Sequence, residues 1–205
     1  CVSLLIAVCG ALLGVMPLVG AGILGAAACG IMGILIPYAR VLAAKKPQEY
    51  SAWSFLIGLG WIALGILFLG ITALFVSTPS QVRVLTMMWL PIIGAGGFAQ
   101  LFVGALSYLM PVVIGGGPSV VRIGIAILDW QFALRVALRN GALLLQVVLF
   151  CAAASTAVTA LRYALWLVVI TTFAIDIVMF ARAGKNQARA RRDRIKEMSE
   201  SRQVQ

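Results

Sequence analysis

Histidine is absent from these 205 residues, and acidic residues number only six. The first absence removes the commonest general base and the commonest metal and haem ligand. The second leaves little for carboxylate chemistry. Charge of either sign is scarce: 11% of the chain is charged, against roughly 25% in soluble domains. Hydrophobic residues fill the gap at 62%. A soluble enzyme is excluded, and a polytopic membrane protein is the class that remains. The four cysteines, Cys1, Cys9, Cys29 and Cys151, show no Cys-x-x-Cys spacing and stand in apolar runs. They read as small buried hydrophobes. Alternation of polar and apolar residues is missing too, which excludes spanning strands.

What the sequence has is length of apolar run. A spanning helix needs about 20 such residues. Six stretches qualify: residues 2–19, 21–37, 52–76, about 85–114, about 141–161, and 163–181. The first two are expected to meet in a tight turn near Gly20. Basic residues orient the set, because Lys and Arg stay on the cytoplasmic side. With the C-terminal tail inside, fourteen of the sixteen bases fall inside, and only Arg83 and Arg162 fall outside. The expected fold is all-α: a polytopic transmembrane helix bundle of about six spans with both termini cytoplasmic. Residues 1–183 form the membrane domain and residues 184–205 a basic cytoplasmic tail, read as a frayed helix near anionic inner-leaflet lipids. Topology already accounts for the basic run, so nucleic acid is not an expected partner.

Small residues such as Gly10, Gly14, Gly22 and Gly30 are placed for close helix approach. Trp61 fits neither aromatic belt and is expected to pack between helices. The connection from Gly115 to Asn140 is the least regular part. Gly115-Gly116-Gly117-Pro118 breaks the preceding helix. A short interfacial helix from about Ser119 to Leu128 follows, then a second that starts near Asp129 and runs into the membrane. The stripe Gln131, Arg135, Arg139 on its first turns is expected to stay wet. The glycine run is not a phosphate loop, since no Lys-Ser/Thr follows and no strand precedes.

Asp176 is the one acid inside a span. Intramembrane carboxylates are functional candidates by default. Two readings stand: a structural role, reaching headgroup water or pairing with Arg182 or a loop base, or a proton or ion role. No second membrane acid offers a relay. Gln100, Gln146, Ser155 and Thr156 are expected to hydrogen-bond between helices. Met87 and Met88, adjacent and therefore divergent on a helix, read as packing rather than as a copper chelate.

One stretch carries a resemblance. The run Gly104-Ala-Leu-Ser-Tyr-Leu-Met-Pro-Val-Val-Ile-Gly-Gly-Gly-Pro118, with Arg122 following, resembles the end of the second helix of haem–copper oxidase subunit I. Tyr108, Leu109, Pro111, Ile114 and Gly115 match in identity and spacing. More closely, residues 100–118 resemble the membrane part of bacterial multicopper-oxidase-type proteins. The resemblance covers this segment and departs from the oxidases in one respect. Their helix carries a haem-ligating histidine well before the tyrosine, and the matching place here is near Met88. Haem ligation and a three-histidine copper centre therefore do not carry over.

What the resemblance implies is a scaffold and the company it keeps. The expected function is a non-catalytic membrane module of the bacterial inner membrane. It anchors or assists a copper-containing or respiratory oxidoreductase, holds no cofactor itself, and meets copper-oxidase or other membrane chains as partners. Any catalytic segment would precede Cys1 or belong to a separate chain. Two alternatives stay open: a transporter or ion-conducting subunit using Asp176, and a quinone-binding membrane subunit.

Overall fold

The computed structural model describes residues 2–45, 49–76, 78–150 and 155–203. Cys1 and Cys151, singled out above, lie outside the described residues, as do Lys46 and the side chain of Arg202, two of the fourteen inside bases, while Cys9 and Cys29 are exposed rather than buried. Among the described residues the chain is all-helical. Its helices are α1 (Val2–Leu12), α2 (Met16–Lys45), α3 (Tyr50–Phe75), α4 (Pro79–Ile114), α5 (Pro118–Leu128), α6 (Phe132–Phe150) and α7 (Thr156–Gln203). Five of them, α2, α3, α4, α6 and α7, are long and apolar enough to cross a membrane. The protein is a multi-pass membrane protein.

The first apolar stretch departs from expectation. Instead of one helix over residues 2–19, α1 ends after 11 residues. The reversal falls at Gly14, whose φ of 69° suits a residue without a Cβ. The expected turn residue, Gly20, is helical and buried. A Cβ there would lie 2.7 Å from the Gly70 carbonyl oxygen, so Gly20 serves close packing. Gly10 does the same within the α1–α2 hairpin, where a Cβ would meet Leu18 and Val19 at 2.7–3.0 Å. Nor does α2 stop at Pro37. A widened π-helical turn at Ile31–Leu35 just before the proline lets the helix run on to Lys45. A second such turn, Gly94–Ala99, interrupts α4 at its glycine-rich centre.

The chain divides into two compact units: Cys1–Pro47 with Phe55–Leu101, and Gln48–Ser54 with Phe102–Gln205. In the first, Trp61 is buried against Gly96 of α4, as expected of a tryptophan packing between helices. Trp89 is buried as well and stacks on Phe68 with ring centroids 4.1 Å apart. Its neighbours Met87 and Met88 are exposed rather than packed.

The second unit holds the polar core. Gly115, Gly116 and Gly117 all take positive φ and reverse the chain after α4. The short helix expected after this break is present as α5. Gln131, also at positive φ (47°), turns the chain again into α6. The inward face of α7 is written in polar as much as apolar residues. Val169, Thr172, Asp176, Met179, Ala183 and Gln187 are buried at spacings of three and four, while Ile170, Ile177 and Val178 are exposed. Where lipid is the solvent, apolar side chains gain nothing by turning inward, and polar ones seek each other. The residues assigned to a separate tail continue α7 without a break to Gln203.

Candidate functional site

Arg135 and Arg139 stand one turn apart on the first turns of α6, so both reach the same side. That side is not wet, contrary to expectation. Arg135 is 4% exposed and Arg139 is wholly buried, on a face that continues through Leu143 and Gln146. Facing them on α7 is Asp176, 1% exposed. Arg135 Nη1 donates to Asp176 Oδ1, and Arg139 Nη2 donates to Oδ2. The bases of the 115–140 connection therefore pair with Asp176. Arg182 instead borders an open groove with Trp130, Ile127 and Met179.

Tyr50, the first residue of α3, completes the cluster. Its Oη donates to Asp176 Oδ2 at 2.8 Å and accepts from Arg139 Nη1 at 3.3 Å. The Arg135 guanidinium lies over its ring, 4.6 Å from the centroid, and Arg139 lies over the Phe173 ring at 3.9 Å. Such contacts suit arginines that have lost their water. Arg139 Nε donates to Thr172 Oγ1 at 3.2 Å.

The cluster also satisfies two helix ends. Arg135 Nη2 donates to the carbonyl of Leu128, the last residue of α5. Asp129 Oδ1 accepts the Tyr50 backbone N–H at 2.7 Å, capping the N-terminus of α3. Helix ends leave backbone groups without intrahelical partners, and buried ones must find others. Asp129 is half-buried. Burial pushes its carboxyl above the ordinary carboxylate value, the Tyr50 N–H opposes that, Glu49 adds to it, and Arg135 opposes it. With Asp129 ionised, two arginines face two carboxylates. The charges sum to zero where an unbalanced one would be costly.

Two further polar groups tie this unit. Gln146 Nε2 donates to the Arg162 carbonyl at 2.7 Å and its Oε1 accepts from Arg162 Nε at 3.4 Å, a bond between α6 and α7 as expected. Gln187 Nε2 donates to the carbonyls of Pro111 at 2.5 Å and Gly115 at 3.2 Å. Among the described residues Ser155 makes a local bond rather than the expected interhelical one. Its Oγ accepts the Val158 N–H at 3.2 Å at the start of α7. Gln100 is buried, and among the described residues neither of its side-chain atoms has a hydrogen-bond partner.

No family model, curated protein or solved structure matches this chain. The motif residues are therefore placed by geometry alone. Gly104 and Pro111 are buried on α4, while Tyr108, Leu109, Pro118 and Arg122 are exposed. The end of the motif is where α7 grips α4. Arg191 Nη1 donates to the Ile114 carbonyl at 2.9 Å and Arg194 Nη1 to that of Gly116 at 2.9 Å. Sequence reasoning found Asp176 because it is the lone acid in a span. It left open which loop base pairs with Asp176, and it missed Tyr50 as a third partner and Gln187 as a separate tie to the end of α4. The four-residue spacing of Arg135 and Arg139 was the one signal that could have pointed inward.

Chemically, Asp176 is saturated. Both its oxygens accept from guanidinium groups, one also takes a phenol, and water has no access. A carboxylate so held offers no open position to an ion.

Proposed function

We propose that this chain is a non-catalytic module of the bacterial inner membrane that anchors or assists a copper-containing or respiratory oxidoreductase. The observation that carries the non-catalytic part is the saturation of Asp176 by Arg135, Arg139 and Tyr50, which leaves it a lock between helix ends. Proton relays expose or chain their carboxylates, and this one does neither. The oxidoreductase association is supported by the resemblance of the segment around Tyr108, Leu109, Pro111, Ile114 and Gly115 to oxidase membrane segments.

The orientation belongs to the same proposal. Lys45, Arg122, Arg135, Arg139 and the bases of α7 from Arg182 onward lie on the cytoplasmic side, with Arg83 and Arg162 opposite. Whether α1 adds a sixth span is part of that orientation, and an even number puts both ends inside. Copper or haem is supplied by the partner. The test is the purified chain stripped of other polypeptides, read by visible absorption and elemental analysis. The expected result is no Soret band and no stoichiometric copper. One tightly held copper or a haem band in the chain alone would overturn the proposal.

A further inference from the structure

In the orientation proposed above, Arg162 and Arg182 stand at opposite boundaries of the membrane. Between them α7 rises about 30 Å, one hydrocarbon thickness. Arg182 therefore marks the inner boundary, with Met179 about 4.5 Å inside it and Asn186 about 6 Å beyond it. Helix α5 runs antiparallel beside this stretch. Gly116, just before it, accepts from Arg194, Gly124 lies against Gln187, and Leu128 packs with Met179 and Ala183. The chain thus descends from the cytoplasm to the boundary as it passes along α5.

Between the two helices lies an open groove of about 540 Å³, within the range of small-molecule sites. Its walls change character at the boundary. Ile127, Trp130 and Met179 line the membrane end, and Arg182 and Asn186 supply the polar groups. The Arg182 charge is uncommitted: among the described residues the ion pairs are those of Asp176 with Arg135 and Arg139. The lining holds no acid. The two acids that flank it in sequence are engaged elsewhere, Asp129 by the Tyr50 N–H and Asp176 by its arginines. Exposed Arg122 and Lys185, each next in sequence to a lining residue, add to the positive field.

We propose that this groove holds one anionic phospholipid of the inner leaflet. Its phosphate sits at the Arg182 guanidinium and the Asn186 amide, and an acyl chain passes Ile127 and Met179 into the hydrocarbon. The inference rests on the membrane orientation given above. Depth and charge together select the occupant. A groove that is apolar below the boundary and cationic at it matches a molecule divided in the same way, and basic pockets between helices on the cytoplasmic side suit anionic headgroups. A zwitterionic headgroup brings its own cation, for which the lining offers no carboxylate. A second copy packed on the same face would set Arg182 near its own twin.

The test is native mass spectrometry of the full chain in non-ionic detergent, titrated with phosphatidylglycerol or phosphatidylcholine. The expected result is one phosphatidylglycerol retained per chain, with phosphatidylcholine held at least about tenfold more weakly. Arg182→Gln should weaken retention by a similar factor at unchanged thermal midpoint. So should Ala126→Phe, which fills the groove without changing its charge. Arg192→Gln, further along α7, should leave retention intact. Equal retention of both lipids, or equal loss in Arg192→Gln, would show a diffuse positive surface and overturn the proposal. Competition by glycerol phosphate as strong as by whole lipid would also overturn it, as would a lipid-free dimer in which a second copy covers the groove. Fluorescence gives a readout on the native sequence. Phosphatidylglycerol brominated on its acyl chains should quench the emission that Trp130→Phe removes, and brominated phosphatidylcholine should not; no difference between them would overturn the site. Binding in detergent does not depend on which side α7 faces. Labelling of Lys185→Cys from outside in intact membranes, with the native cysteines replaced by serine, would overturn the inner-leaflet assignment and the orientation with it, whatever the binding.

Discussion

Replacing Asp176 with asparagine keeps the shape of the side chain and removes its charge. In the intact cluster Asp176 accepts from Arg135, Arg139 and Tyr50. In the variant the two guanidinium groups stay buried, with only the half-buried Asp129 left to balance them. An amide nitrogen also replaces one acceptor and turns a donor toward donors. Breaking a buried ion pair by removing one partner costs roughly 3–5 kcal/mol. In a chain of this size that lowers the thermal midpoint by on the order of 10 °C. The assay is tryptophan-fluorescence unfolding in detergent, alongside the activity of the complex in native membranes. The expected result is a large drop in midpoint, with activity per assembled complex unchanged at a temperature where the variant is folded. Asp176→Asn with Arg139→Gln should be less harmful than the two single effects summed, because the double variant buries one fewer unpaired charge. A midpoint within about 2 °C of wild type, under one kcal/mol, would refute the reasoning. So would lost activity at unchanged stability and assembly, which would return Asp176 to ion or proton traffic.

Three other outcomes follow from the same contacts. Asp129 has a raised pKa in the fold, so ionising it costs more there than in the unfolded chain. Its contribution is fully present below the unfolded value and is lost as pH rises through the folded one. Stability should therefore decline just above the ordinary carboxylate range, and Asp129→Asn, which keeps an acceptor for the Tyr50 N–H, should flatten that slope in unfolding midpoints measured against pH. Gln187→Ala leaves the carbonyls of Pro111 and Gly115 without their side-chain donor and should cost about 1–3 kcal/mol, read by the same unfolding assay; no loss would mean that water serves them equally well. Cysteines introduced at Glu49 and at Pro79 should be labelled from opposite sides of the membrane, the first from the cytoplasm, and labelling of both from one side would overturn the orientation.

The apolar runs made the helices legible, because length and hydropathy are properties of single segments. The ends were harder. Gly14 and Gly20 look alike in sequence, yet one reverses the chain and the other packs against Gly70, and only the neighbouring helix distinguishes them. Pro37 read as a terminator because the wide turn before it leaves no mark in composition. Asp176 was visible as the lone acid in a span. Its partners were not, because Arg135, Arg139 and Tyr50 lie 41, 37 and 126 residues away and charges near a span end ordinarily stay in water. The continuation of α7 was hidden for a similar reason. A polar basic run reads as a frayed end, and what holds it helical is the grip of Gln187, Arg191 and Arg194 on the carbonyls that close α4.

The most direct measurement is mass spectrometry of the intact assembly released from its native membrane, with metal analysis of the same sample. The expected result is this chain together with a second polypeptide that holds copper or haem, the metal leaving with that polypeptide when the assembly is dissociated. Release of the chain as a self-assembly without an oxidoreductase partner, or retention of the metal on this chain after dissociation, would contradict its role as a non-catalytic module.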